Sequence, residues 1–402
     1  MTSFVRSNGF CQALSLCFVA LAACAEPAGS AAAPADTATG AATDATGDAA
    51  PDASGDAAPQ HPSLAYDAAA PGPFHVGYRT LPLTYTAPGG VGARTVTVHV
   101  WYPTDATSGA HPEPYGGILP DEDSLLDAPP SSPVAGGRYP VHVYSHGHQG
   151  FAGTSSFLCR HFASHGWLVV APDHVGNLLS DAILPRPTWM YFARSTDVTA
   201  ALDLLAKLPA SDPLHGRADT ARVLLSGHSF GAHTCWATGG ASFDAGKIAA
   251  DCQADGGAIA LGDCASETSA VFAKGLRDER VVALAPMAGV LHRSLMGDHG
   301  HEPVKLPVLA LSGGNDPIGA QAQFDSCTGC DLTWIELDGA CHQSFALGGC
   351  PTLDKSLAFP LISRWVLAFA RRHVLGDTAA ATLDLLSGKL LEPLVKFARR
   401  QP

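Results

Sequence analysis

The stretch Leu224-Leu225-Ser226-Gly227-His228-Ser229-Phe230-Gly231-Ala232-His233 sets a serine between glycines two residues before and two after it. A serine hydroxyl is a weak nucleophile until a base takes its proton and fixed donors receive the charge that develops on the attacked carbonyl. Residues 222–227 read as a β-strand and 232–238 as a helix, so Ser229 would occupy a sharp strand-to-helix turn that thrusts its Oγ out at a helix N-terminus. A bare G-x-S-x-G arises often by chance, whereas strand, motif and helix in that order are specific.

Such a serine needs three further parts. The acid and base should follow it in chain order at the ends of later strands. Gly314-Asn315-Asp316-Pro317 follows the apolar run 307–313, and Ala340-Cys341-His342-Gln343 follows the run 333–339, so Asp316 and His342 fall where an acid and a base are required. Asp338 is the alternative acid, although it stands on the approach to the histidine, where turn capping accounts for an aspartate. Two amides should bind the oxyanion: that of Phe230, next to the nucleophile, and that of His148, in the loop His146-Gly147-His148-Gln149-Gly150 after the third strand. A rival use of His146 and His148 is a metal pair, but neither a carboxylate nor a third ligand stands nearby in sequence. The chemistry requires no metal and no organic cofactor.

These parts need a scaffold. Residues 94–103 alternate polar and apolar like a partly exposed strand. By contrast, 141–145, 167–172, 222–227, 281–286, 307–313 and 333–339 are near-continuous apolar runs, as a parallel sheet covered on both faces requires. Helix-like stretches lie between them: 194–208 places Val198, Leu202 and Leu205 on one face, and 160–166 ends at Gly166. The alternation predicts an α/β fold with a mostly parallel, doubly wound central sheet flanked by helices. Two long connections interrupt it, 104–139 and 239–279; the second, carrying Cys252 and Cys264, is expected to be a lid or pocket wall stapled by a disulfide.

The chain's ends point outside the cytoplasm. Arg6 and a short apolar run, 11–23, have the form of a secretory leader too short to span a bilayer. Leu21-Ala22-Ala23-Cys24 matches a bacterial lipobox, which would make Cys24 a lipid-attachment site; cleavage after Ala25 is the plainer alternative. Residues 1–23 are thus expected to be a leader, 24–70 a tether and 71–402 the catalytic domain. The tether is nearly all Ala, Asp, Gly, Pro, Thr and Ser, lacks Lys and Arg, and has too little apolar area to offset its ordering entropy. It carries seven of the acids behind the net charge of −13, and no basic cluster suggests a nucleic-acid partner. The eight later cysteines favour disulfides in an exported chain, Cys252 with Cys264 first and then a set among Cys327, Cys330, Cys341 and Cys350, with Cys159 and Cys235 making up the count. Cys327-Thr-Gly-Cys330 does not open a helix as a thioredoxin-like pair would, so a structural disulfide or linked pair is expected there. His161, His165, His174, His292, His299 and His301 are expected to be surface or capping residues, and Asp173 to end its strand.

From 138–150 (RYPVHVYSHGHQG) through 162–177, GHSFGAH, SGGNDP and GACHQSF, the chain resembles the α/β-hydrolase family of predicted dienelactone hydrolases, near platelet-activating-factor acetylhydrolases and cutinase-like polyesterases. The resemblance covers about residues 74–372 and implies Ser229, Asp316 and His342 as a catalytic triad, with the His148 and Phe230 amides as oxyanion hole. True dienelactone hydrolases carry Cys where Ser229 stands, which makes the family label a poor guide to substrate. The common G-H-S-x-G-G pattern is also broken by Ala232, a change expected to affect packing only. The leading expectation is a serine carboxylic-ester hydrolase acting through an acyl-enzyme on ester substrates outside the cytoplasm. The alternative is a non-catalytic surface lipoprotein using the fold to bind a ligand or partner. Phe230, Trp236, Trp189, Tyr191 and Phe192 stand close to the motifs, as an acyl or aromatic-ester pocket or as core.

Overall fold

The computed structural model describes residues 67–133, 137–181, 187–253 and 266–402. The leader, Cys24 and nearly all of the tether lie outside the described residues, as do Cys264 and the side chain of Cys252. The last residues assigned to the tether already belong to the fold: His161 Nε2 donates to the Ala68 carbonyl at 3.1 Å and His165 Nε2 to that of Ala70 at 2.9 Å.

The described residues build one ten-stranded sheet in the spatial order 395–400, 332–337, 308–313, 281–287, 218–228, 139–145, 168–172, 92–104, 75–87 and 124–126. Its parallel centre is β5 (Leu168–Pro172), β4 (Tyr139–Ser145), β6 (Ala218–His228), β7 (Val281–Met287), β8 (Val308–Gly313) and β9 (Leu332–Leu337). Every residue of β4 and β5 is buried, which accounts for their unbroken apolar runs. Along β6, Val223 and Leu225 join the core on one face while Leu224 joins that on the other, because successive side chains of a strand point to opposite faces. Helices α1 (Ser156–Ser164), α8 (Lys355–Val374) and α9 (Ala380–Leu386) cover one face; α2 (Met190–Ala206) and α3 (Phe230–Thr238) cover the other. Short helices α4 (Ala245–Gln253), α5 (Ser266–Lys274), α6 (Arg293–Met296) and α7 (Ala320–Ser326) fill the later connections.

The sheet's margins are antiparallel. β1 (His75–Ala87) and β2 (Gly92–Thr104) form a hairpin, with β3 (Ser124–Leu126) adding three parallel pairs to β1, and β10 (Val395–Arg400) closes the far side against β9. The elements that carry chemistry all leave the C-terminal ends of the parallel strands: the loop after β4, the turn after β6, and the loops after β8 and β9. That is where open α/β sheets gather their ligand-binding groups.

Candidate active site

Ser229 occupies the turn between β6 and α3 with φ 55° and ψ −113°, a left-handed φ rare for a residue with a Cβ. The turn is held open: the Ser229 N–H donates to the Met287 carbonyl of β7 at 2.8 Å, and its carbonyl accepts from the Ala232 N–H at 2.9 Å. Gly231 is required by close approach, since a Cβ there would lie 2.0 Å from the Ser145 carbonyl oxygen. The departure at Ala232 is met across the turn by Gly289, where a Cβ would come within 2.6 Å of the Ala232 methyl and 2.4 Å of the Ser229 carbonyl oxygen.

The structure brings Asp316 and His342 together. His342 Nδ1 donates to Asp316 Oδ2 at 2.8 Å, with the carboxylate side chain only 4% exposed and the imidazole 36% exposed. Their loops are laced to one another: the Gly314 N–H donates to the Leu337 carbonyl and the Asn315 N–H to that of Ala340, each at 2.9 Å. A disulfide between Cys341 and Cys350 closes the loop that contains His342. His228, beside the serine, donates from Nε2 to the His342 carbonyl at 3.0 Å. Burial, reinforced by the neighbouring His342, pushes His228 down to about 3, so it is neutral at pH 7 and acts as a prop for the His342 backbone. Asp338, the alternative acid, is exposed and lies 3.5 Å from Lys396 Nζ, pointing to the surface instead of to His342.

Ser229 and His342 line one open cavity of about 250 Å³ together with Gly147, His148 and Gln149. Its remaining wall is largely apolar, including Phe151, Ala346 and three exposed aliphatics from separate loops, Ile118, Leu179 and Leu347. A wider groove of about 480 Å³ between β1 and α2, along Leu83, Tyr85, Ala200 and Leu204, contains neither histidine nor cysteine.

The loop after β4 is set by hydrogen bonds beneath it. The His174 N–H donates to His146 Nε2 at 3.0 Å, so the His146 proton sits on Nδ1, from which it is donated to the Gly147 carbonyl at 2.8 Å. Both ring nitrogens of His146 are thereby committed, which removes it from a metal pair with His148; among the described residues no cluster of three His, Cys, Asp or Glu could hold a metal ion. The Gly147 carbonyl also accepts from the Gly150 N–H at 3.2 Å. Gln149 next to it has φ 53°, a second strained non-glycine at the cavity. His174 lies below, donating from Nδ1 to Asp197 Oδ2 at 2.9 Å and accepting at Nε2 from the Ser145 hydroxyl at 2.9 Å. Burial, with Arg194 and Arg94 adding to it, holds His174 well below its ordinary pKa. Asp197 is completely buried and pairs through both oxygens with Arg94 at 2.9 and 2.8 Å. Tyr85 adds a hydrogen bond of 2.6 Å to the same carboxylate.

Several expectations are corrected here. His174 and His301 are buried, not surface residues, because each meets a partner within the fold or is packed over by it; His165 is buried as well, but at the expected kind of position, the C-cap of α1. Of the two readings open for the aromatics, the structure gives the core: Trp236, Tyr191 and Phe192 belong to it under α2 and α3, Trp189 packs against it, Phe230 is likewise buried, and none of them lines the Ser229 cavity. Among the described residues, the segment 239–279 contributes nothing to that cavity, whereas 104–139 contributes Ile118. Of the eight cysteines, Cys341 and Cys350 pair, while Cys159, Cys235, Cys327 and Cys330 are free thiols in the core. The Cys330 thiol, hydrogen-bonded to Cys327, pulls it below the ordinary thiol range, and Cys330 is raised in return. Sequence reasoning passed over Asn177, Arg194 and Asp197. A signal existed for two of them: Arg194 and Asp197 fall on the same face of α2 as Val198 and Ala201, at core-facing spacing.

The model of the chlorophyllase family matches residues 125–248, less than half of the chain, taking in the loop after β4 and Ser229 but ending before Asp316 and His342. Among solved structures, the chain is similar to a ferulic acid esterase from Streptomyces cinnamoneus, with a TM-score of 0.57 and 20% identity over 82% of this chain and 98% of that one. No curated protein matches the chain. The fold, with this chain's parallel sheet and strand-serine-helix turn, is the α/β-hydrolase fold.

Proposed function

We propose that the chain is a serine carboxylic-ester hydrolase, with Ser229 as nucleophile, His342 as general base and acid, and Asp316 as the carboxylate that orients it. The observation that carries this reading is the 2.8 Å bond from His342 to a buried Asp316, made at the cavity that Ser229 also lines. With Nδ1–H given to Asp316, the lone pair of Nε2 is left to take the serine proton. Oγ then attacks the ester carbonyl, the alcohol leaves with the proton returned by His342, and water releases the acid by the same steps in reverse.

Negative charge on the carbonyl oxygen is received by the amides of Phe230 and His148. The Phe230 amide is among those at the start of α3 that face outward from the helix. The Gly147 carbonyl is held by His146 Nδ1–H, and in a planar trans peptide the following N–H, that of His148, points the opposite way. The relatives' names, a chlorophyllase family and a ferulic acid esterase, also lie within ester hydrolysis.

The substrate class is an ester with an apolar portion that reaches the rim, because Ile118, Leu179 and Leu347 are 61%, 52% and 43% exposed around the cavity. The setting is extracytoplasmic, as the leader and Cys24 suggest, with the lipid at Cys24 as membrane anchor. Hydrolysis of para-nitrophenyl esters from acetyl to decanoyl by the purified chain tests the reading. Rates should rise from acetyl towards medium chains, and Ser229→Ala should lose on the order of 10⁶ in turnover. Equal activity in the two proteins, or none in either, would sink it.

A further inference from the structure

We propose that Arg194 is the positioning residue of the oxyanion-binding turn 146–148, which it clamps from both ends; the proposal rests on the ester-hydrolase reading. Arg194 is completely buried on α2, where a guanidinium is tolerated only if its N–H groups find acceptors. Its Nη2 donates to the His146 carbonyl, at the turn's entry, and to Ser145 Oγ at 3.2 Å. Its Nη1 donates to Asn177 Oδ1 at 2.7 Å, and Asn177 Nδ2 in turn donates to His148 Nδ1 at 2.6 Å, at the turn's exit. Its Nε donates to Thr234 Oγ1 at 3.1 Å, on the helix that begins at the nucleophile. The guanidinium also lies 4.7 Å from the centre of the Phe230 ring, so one side chain touches the structural support of both oxyanion amides.

Such a clamp has something to hold against. Gln149, which follows His148, is kept at φ 53°, a conformation a glutamine leaves when its surroundings allow. Releasing the His146 carbonyl or the His148 ring would leave the 147–148 peptide held only through the Gly147 carbonyl, by His146 Nδ1–H and the Gly150 N–H, and would let it tilt the His148 N–H away from the developing oxyanion. Lysine cannot substitute: an ammonium is a point donor without the planar fork that reaches Ser145, Asn177 and Thr234 at once. Because the oxyanion forms only after attack, the loss should fall on kcat and spare KM.

The test is steady-state hydrolysis of a para-nitrophenyl ester by wild type, Arg194→Lys, Arg194→Met and Asn177→Ala. Each rate is divided by the number of sites titrated to completion with a fluorophosphonate, so that misfolded protein is not counted. The expected result is kcat per titrated site lowered about 100-fold in Arg194→Met and about 10-fold in Arg194→Lys and Asn177→Ala, with KM within about threefold of wild type. The double variant Arg194→Met/Asn177→Ala should be no slower than Arg194→Met alone, since both cut one clamp. If Arg194→Met does not fold, Asn177→Ala carries the test, because it removes the arm to His148 and leaves Arg194 its other acceptors. Unchanged kcat per site in folded variants, or a loss confined to KM or to the titre, would overturn the clamp while leaving the hydrolase reading intact. Absence of ester hydrolysis in wild type would overturn both.

Discussion

His342 stands between a buried carboxylate and an open cavity, and that asymmetry decides what each partner contributes. Asp316 accepts the Nδ1 proton and thereby fixes the tautomer that leaves Nε2 basic. Asp316→Asn would present an amide where an acceptor is needed, and kcat should fall by about 10⁴ with the fold intact, measured by turnover beside circular dichroism. His228 is different in kind: neutral and buried, it supports the His342 carbonyl and holds no place in proton transfer. At the rim, Leu179→Asp should lower kcat/KM for an octanoyl ester about tenfold while changing the acetyl ester little, since only the longer chain reaches an aliphatic that is 52% exposed. Equal losses on both esters would show that the rim does not meet the acyl chain.

The turn after β6 and the loop after β9 were the elements most legible in the sequence, because their chemistry demands fixed spacing. Glycines flank Ser229 where backbone approaches backbone, and Asp316 and His342 follow strands in order. The margins of the sheet were less legible. β1 contains Pro82, which supplies no N–H to a ladder and weakens a strand signal, and β10 is the charged sequence Val-Lys-Phe-Ala-Arg-Arg. The support beneath the loop after β4 was hidden for another reason. Arg94 from β2, His174 after β5 and Asp197 from α2 meet only in three dimensions, and although Asp197 has core-facing spacing on its helix, nothing in the sequence names its partners. At this scale the Cys341–Cys350 bond is a brace for His342. Replacing both cysteines by serine should lower stability by about 2–3 kcal/mol in urea unfolding, as expected for closing a loop of this length, and should lower kcat as well. Unchanged stability and turnover would mean the loop is held by its hydrogen bonds alone.

Across the whole molecule, buried histidines make stability depend on pH. His142 and His228 are both pushed down to about 3 by burial, and both titrate near 6.5 when the chain unfolds. Between those values the unfolded chain binds protons that the native protein does not, so stability is full above about pH 6.5 and is lost as pH falls towards 3. These two groups alone approach a slope of about 3 kcal/mol per pH unit once the pH is about one unit below 6.5, so the urea unfolding midpoint should fall further from pH 6 to 5 than from pH 7 to 6. A flat profile across that range would mean these rings are protonated in the native state. The proposed anchor also acts at this scale: Cys24→Ser should move the expressed protein from the membrane to the soluble fraction without altering turnover, and retention on the membrane would remove Cys24 as the attachment point.

An activated nucleophile at Ser229 should be labelled covalently by a serine-directed reagent. The purified chain is treated with a fluorophosphonate, its intact mass and peptide map are recorded, and esterase activity is followed in parallel. One adduct is expected, on Ser229, appearing at the rate at which activity disappears, and absent from Ser229→Ala. No adduct, or an adduct elsewhere with Ser229 unmodified as activity is lost, would contradict it.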